Sequence, residues 1–184
     1  PPTGAVLDYE ESPKDDHWYL SFNCFHCENA PCTRVCPTGA TYADEDGIVL
    51  INYDLCIGCR YCMAACPYNA RRFNWWDPKH ETSRISPVDG SVVVLNEEVP
   101  LRTRGVTEKC TFCVHRTRDG ENPKCVEVCP VSARHFGDLN DPDSEVSILR
   151  ETERTINIRE NLGTRPKLQY FTRGVKWNKD GEKS

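Results

Sequence analysis

Twelve cysteines divide into three groups of four, and each group closes on Cys-Pro. Cys24, Cys27, Cys32 and Cys36 precede Pro37; Cys56, Cys59, Cys62 and Cys66 precede Pro67; Cys110, Cys113, Cys125 and Cys129 precede Pro130. The middle group has the spacing C-x2-C-x2-C-x3-C-P, which suits thiolate ligation of a cubane iron–sulfur core. The other two keep the outer gaps and differ only in the inner one, x4 in the first group and x11 in the third. One C-x2-C pair would constrain little. Three groups with a common ending dictate that the chain folds around what its thiols bind.

Two other uses of cysteine compete with this reading. An even number of thiols allows a disulfide framework. These cysteines, however, cluster at gaps of two residues, where mutual bridging is strained. Zinc is the better rival, because C-x2-C pairs suit tetrahedral four-thiolate sites. Zinc ribbons bring two such pairs together across a longer loop, whereas the middle group packs three ligands into seven residues. The third group, with its x11 gap, fits zinc as well when taken alone.

The proline fixes φ and lacks an N–H, so it turns the chain after the fourth cysteine and can open a following helix. The continuations match: Pro37-Thr38-Gly39-Ala40, Pro67-Tyr68-Asn69-Ala70 and Pro130-Val131-Ser132-Ala133, followed by Tyr42, Phe73 and Phe136. This is an internal repeat of a ligand loop and a short turn.

Composition agrees. The hydrophobic fraction is 38 %, but 12 of those residues are cysteine. That leaves about 32 % of the chain for an ordinary apolar core, low against typical usage. Metal–thiolate bonds are expected to supply the difference, since binding to the folded form contributes to folding free energy; the apo-protein is expected to be largely unfolded. The net charge is −5, and three oxidised clusters of about −2 each would take it to roughly −11. Nucleic acid, which needs a basic footprint, is excluded as a partner. No run approaches the roughly 18 apolar residues of a membrane span, so no transmembrane segment is expected. No signal peptide is visible, and an opening on Pro1-Pro2 without methionine is expected of a processed or partial chain.

At 184 residues the chain has room for one large domain or two small ones. The fold class expected is α+β: ferredoxin-like cluster-binding lobes with short helices and β-hairpins, an irregular insertion and an extended C-terminal tail. Residues 21–73 form a two-motif unit, with a turn at Asp44-Glu45-Asp46-Gly47 and a strand at Ile48-Val49-Leu50-Ile51. Residues 74–109 are an insertion with a strand at 91–95, residues 110–137 carry the third motif, and residues 138–184 form a helix and docking tail. The helix is expected over 143–152, because Asp141-Pro142-Asp143-Ser144-Glu145 puts acidic residues in its first turn. Polar stretches flank these units, at Asp15-Asp16-His17-Trp18-Tyr19 and at Asn178-Lys179-Asp180-Gly181.

Residues 24–66, then Lys109-Cys110-Thr111-Phe112-Cys113-Val114-His115-Arg116, then Phe136-Gly137-Asp138-Leu139 resemble the iron–sulfur subunit of the dimethyl sulfoxide reductase and polysulfide reductase type. The resemblance covers roughly residues 18–171. That family includes nitrite-reductase-associated ferredoxins and the periplasmic iron–sulfur subunit of sulfite-reductase-linked membrane complexes, to which Phe73-Asn74-Trp75-Trp76-Asp77-Pro78 is most similar. Members carry four cysteine motifs; this chain matches the last three, and the other would lie before residue 1. The resemblance implies motifs paired as in a ferredoxin, each fourth cysteine crossing to its partner's cluster. Cys24, Cys27 and Cys32 would then share a cluster with Cys66, and Cys56, Cys59 and Cys62 one with Cys36. The third motif would normally trade its last cysteine with the missing one. Here it closes on itself through Cys110, Cys113, Cys125 and Cys129 or binds an incomplete cluster; the expectation is three complete 4Fe-4S clusters. The resemblance further implies a peripheral subunit on the periplasmic face of the cytoplasmic membrane. Its partners would be a quinone-reactive integral membrane subunit and a further redox subunit carrying molybdopterin, haem or iron–sulfur. A free soluble polyferredoxin is the alternative role.

Charged residues flank the ligands: His26, Arg34, Lys109, His115, Arg116 and Lys124. Positive charge and N–H donors beside a cluster would raise its potential, while as ordinary surface charges they would only be solvated. With four cysteines per motif, neither His26 nor His115 is needed as a ligand. Trp75 or Trp76 is expected to pack the insertion onto a cluster lobe, or to line a partner groove. The Arg71-Arg72 and Arg102-Thr103-Arg104 groups could dock an acidic partner or lipid head groups. No hydrolytic nucleophile constellation, phosphate-binding glycine loop or paired-carboxylate site is present, so no catalytic residue is assigned. The chemistry left is one-electron relay.

Overall fold

The three cysteine groups fold the same way locally, and backbone handedness shows it. The residue before the second cysteine is left-handed in every group: His26 (φ 42°), Gly58 (φ 68°) and Phe112 (φ 54°). The third residue after the fourth cysteine is left-handed as well: Gly39 (φ 68°), Asn69 (φ 49°) and Ser132 (φ 47°). Each of these last three closes a turn by donating its N–H to the fourth cysteine's carbonyl, Gly39 to Cys36 at 3.3 Å, Asn69 to Cys66 at 3.2 Å and Ser132 to Cys129 at 3.2 Å. Glycine, the residue for which this conformation costs least, occupies only one position in each set. A histidine or phenylalanine held there is strained and must be fixed by its surroundings.

The computed structural model describes residues 20–76 and 102–171, together with the backbone of residues 83–85 and 92–94. Residues 15–19, 77–78 and 178–181, singled out above, lie outside the described residues. The third cysteine of each group sits second in a four-residue helix: Cys32 in α1 (Pro31–Arg34), Cys62 in α2 (Tyr61–Ala64) and Cys125 in α4 (Lys124–Glu127). Proline opens α1 at its first position, where its missing N–H would be unpaired anyway. The long inner gap of the third group is taken up by α3 (Val114–Thr117). Helices this short have no independent stability; packing against the ligand loops holds them.

β1 (Thr41–Ala43) and β2 (Val49–Ile51) pair antiparallel with Thr41 opposite Ile51. Their turn closes through Gly47 N–H to the Asp44 carbonyl at 2.9 Å and Ile48 N–H to Asp44 Oδ1 at 2.6 Å. The strand expected at 48–51 is thus present, one residue shorter. β3 (Arg72–Phe73) pairs with β6 (Thr107–Glu108), so the insertion is pinched at its two ends. Within it β4 (Ser83–Ile85) pairs with β5 (Val92–Val94). β5 answers the strand expected at 91–95; β4 was not expected. α5 (Glu145–Thr152) begins two residues later than expected, with the Ser144 hydroxyl accepting the Ser147 N–H at 3.3 Å, a standard N-cap.

The expectation of an extended tail is corrected for residues 155–171. β7 (Thr155–Ile156) pairs with β8 (Tyr170–Phe171), and the chain between them lies on the first cysteine loop. Glu28 N–H donates to the Arg165 carbonyl at 2.9 Å, Asn29 N–H to Thr164 at 3.1 Å, and Lys167 N–H to Phe25 at 3.0 Å. These bonds are made by backbone, so the side-chain pattern gave no sign of them. The apolar centre is Phe25, Cys27, Ala30, Cys32, Val49, Cys62 and Tyr68. Three of these seven are cysteine, so the core is the lining of the thiol sites.

Candidate metal centres

α1 and α2 each carry a cysteine inward and then deliver the next one away from its own loop. Four residues at about 1.5 Å rise each displace the chain by roughly 6 Å, and Cys36 and Cys66 follow directly on the helix C-caps Val35 and Ala65. One cavity is lined by Cys24, Cys27 and Cys32 with Cys66, among Phe25, Ala30, Val49, Tyr68 and Arg71. The other is lined by Cys56, Cys59 and Cys62 with Cys36, among Thr38, Thr41, Ile51 and Thr107. The structure therefore brings each fourth cysteine to the other group's loop. No aspartate or glutamate lines either cavity. Among the described residues no three Cys, His, Asp or Glu side chains converge on a single-ion position. Four cysteines around each cavity, with no carboxylate among the lining residues, match the all-thiolate donor set that holds an iron–sulfur core.

Neither cavity includes a cysteine of the third group. Cys110 lies between two donors, Asn23 Nδ2 at 3.5 Å and the Phe112 N–H at 3.4 Å, both directed at its sulfur. Cys129 accepts the Ala133 N–H at 3.3 Å. The third group is joined to the first by the Phe112 ring, stacked on His26 at 3.7 Å between centroids.

Electrostatics separate Cys24 and Cys27 from Cys36 and Cys129. Burial raises the Cys24 thiol, with Lys109 opposing, and pushes Cys27 up to about 11, with the Thr164 hydroxyl opposing. Burial also raises Cys36, but the Thr41 N–H, at 3.5 Å, and the Thr38 hydroxyl overcome it and hold that thiol at about 7. The Ala133 N–H, followed by other main-chain donors of the turn, likewise lowers Cys129. Donors aimed at sulfur favour the thiolate, the form that ligates metal. The turn after Cys-Pro is thus part of the ligand machinery.

The flanking charges divide sharply. His26 is fully buried; its Nδ1 accepts the Val49 N–H at 3.1 Å. Burial, then the Lys109 and Lys167 charges, lower its pKa to about 2, so it is neutral and supplies no positive charge to the first cavity. Lys109 does reach the interior, donating to the Val49 carbonyl and to the Cys110 carbonyl at 2.8 Å. Arg116 pairs with Glu121 and Glu127, Lys124 with Glu127 at 2.7 Å, and Arg34 with Asn29. Those three belong to the surface. Arg71, for which the sequence allowed a docking role, is 1 % exposed. Its Nη2 donates to Cys32 Sγ at 3.0 Å and its Nη1 to Thr41 Oγ1 at 3.3 Å. Trp75 packs edge-on against Phe73 at 4.6 Å, with Arg60 over its ring, yet both it and Trp76 are exposed.

Sequence reasoning missed Thr164, Tyr68 and Lys167. The Thr164 and Tyr68 hydroxyls meet at 2.5 Å beside Cys27, and Lys167 donates to the Gly47 carbonyl. The only signal for Tyr68 was its place in the repeated Cys-Pro-x-x-Ala turn.

Residues 16–85 and residues 55–133 each match a family model described as a 4Fe-4S dicluster domain. The two matches share the middle cysteine group. The chain is 54 % identical over 153 residues to a provisionally named iron–sulfur subunit of a dimethyl sulfoxide reductase from Halobacterium salinarum, covering 83 % of this chain and 55 % of that protein. It is 39 % identical over 180 residues to the arsenate respiratory reductase iron–sulfur subunit of a Shewanella species (86 % and 77 % of the two chains). It is 41 % identical over 180 residues to the menaquinone reductase iron–sulfur cluster-binding subunit of Nitratidesulfovibrio vulgaris (88 % and 68 %). Against three of its relatives, the Halobacterium protein among them, it spans only 53 to 60 % of their length.

Proposed function

The chain belongs to the family of iron–sulfur subunits of dimethyl sulfoxide, polysulfide and arsenate reductases, and on that premise we propose that it is the electron-transfer subunit of a membrane-bound respiratory oxidoreductase. It relays single electrons through three 4Fe-4S clusters between a quinone-reactive membrane subunit and another redox subunit, and has no substrate site of its own. Cys24, Cys27, Cys32 and Cys66 hold one cluster; Cys56, Cys59, Cys62 and Cys36 hold the second; Cys110, Cys113, Cys125 and Cys129 hold the third. The observation that carries this reading is the pair of acid-free cavities, each ringed by three cysteines of one group and the fourth of the other.

Once bound, such clusters supply one-electron chemistry over a wide span of potentials. The chain's own residues do the rest. Main-chain donors of the turns after Cys36 and Cys129 favour thiolates there, and Phe25 and Tyr68, stacked at 4.1 Å and both buried, cover the first cavity. The second cavity lies nearer solvent: Cys59 is exposed, as are Ile57 and the neighbouring Tyr61. Apolar side chains exposed around a ligand loop suit contact with a partner, and the insertion joins that surface through Trp75. No described helix is long and apolar enough to cross a membrane; the peripheral place on the periplasmic face is what the family resemblance implies. Affinity purification from detergent-solubilised membranes tests the assignment. Recovery with a multi-helix membrane protein and a second redox protein is expected; recovery only as a free soluble monomer would favour an independent polyferredoxin.

A further inference from the structure

Arg71 is among the largest fully buried side chains described, and no carboxylate pairs with it among the described residues. A guanidinium cannot shed its proton at any relevant pH, and an unpaired buried charge is strongly disfavoured. Its charge must therefore be balanced by what surrounds it, which is sulfur. Nη2 donates to Cys32 Sγ at 3.0 Å in the first cavity. Nη1 donates to the Thr41 hydroxyl at 3.3 Å, and the Thr41 N–H in turn donates to Cys36 Sγ, a member of the second cavity, at 3.5 Å. One planar cation thus touches one site directly and the other through a single residue.

We propose that Arg71 is a shared internal counter-cation of the paired centres, raising the reduction potential of the Cys24/Cys27/Cys32/Cys66 centre most and that of its neighbour less. This rests on the assignment of 4Fe-4S clusters to both cavities. Reduction adds one electron to a centre and makes it more negative, so a fixed cation at 3.0 Å from a ligand sulfur stabilises the reduced form more than the oxidised one. Directional N–H···S bonding acts in the same sense. The third centre, with no Arg71 contact, is left unchanged.

The test is a redox titration followed by electron paramagnetic resonance on the full chain, with Arg71→Gln and Arg71→Lys variants beside the wild type and iron and labile sulfide assayed in each. Arg71→Gln should lower one centre's one-electron reduction constant at least tenfold, or about 59 mV, shift a second by less and leave the third in place. Arg71→Lys keeps the charge and should shift the first centre by less than half as much. Unchanged potentials in a fully loaded Arg71→Gln protein overturn the proposal, as do equal shifts in the two variants. If Arg71→Gln fails to load while Arg71→Lys loads, the charge requirement stands; if neither loads, Arg71 is a packing element and the proposal falls. Wild-type protein holding zinc without iron would instead overturn the cluster assignment itself.

Discussion

His26 occupies a position where three constraints meet. Its backbone is left-handed between two ligands, its ring stacks on Phe112, and its Nδ1 caps the Val49 N–H. In the folded protein it ionises only near pH 2, whereas in the unfolded chain it does so near about 6.5. Between those values the unfolded state binds a proton that the folded state does not, so stability falls as pH drops through that window. His26→Asn, which retains an acceptor, should lose less unfolding midpoint between pH 7 and pH 5 than the wild type. Equal losses would show that His26 does not set this dependence. Thr164 offers a second test at this scale. Thr164→Val leaves the buried Tyr68 hydroxyl without its partner, and denaturant unfolding of the loaded protein should show a loss of about 1–3 kcal/mol. Neither residue announced its role in the sequence. A histidine beside a ligand reads equally well as a surface charge, and Thr164 contacts a loop more than 130 positions away.

At the scale of elements, the cysteine spacing made the loops legible because ligand geometry repeats. The Cys-Pro turns and the β1–β2 hairpin follow from local chemistry: proline fixes φ, and Asp44 and Gly47 close the turn. The β3–β6 tie and the return of residues 155–171 follow from long-range backbone bonds that no local pattern encodes. Two left-handed glycines separate local from tertiary demands. At Gly39 a Cβ meets open space, so Gly39→Ala should cost about 1 kcal/mol for the backbone alone. At Gly58 a Cβ would overlap the Gly105 carbonyl and press on Phe73, joining the second ligand loop to the pinched base of the insertion. Gly58→Ala should therefore lose iron from one centre, seen as a lower iron content, while Gly39→Ala remains fully loaded. Equal iron content in both variants would contradict a structural role for that close approach.

For the whole molecule, the shortage of apolar residues and the number of cysteines are one fact. The buried residues include two thiols that burial pushes away from ionisation, Cys24 and Cys27. Without metal these side chains make a small core; with it they form covalent cross-links between both halves of the paired unit. Oxidative removal of the clusters in the presence of a chelator should collapse the circular dichroism spectrum in step with iron loss. A native-like spectrum after complete iron loss would mean that the polypeptide holds itself together. The cluster-binding chemistry was legible in the cysteine spacing because thiolate ligands cannot be moved without losing the site, whereas the family and the exchange of fourth cysteines came from the resemblance carried by residues 24–66, 109–116 and 136–139. Arg71 was not legible, because sequence records a charge but not whether it is buried. The most direct measurement is iron, acid-labile sulfide and zinc per chain on anaerobically purified protein, with spin quantitation after reduction. About 12 iron and about 12 sulfide are predicted, four of each per cubane. About eight of each would leave the paired unit standing and remove the third centre, and stoichiometric zinc without iron would contradict the account.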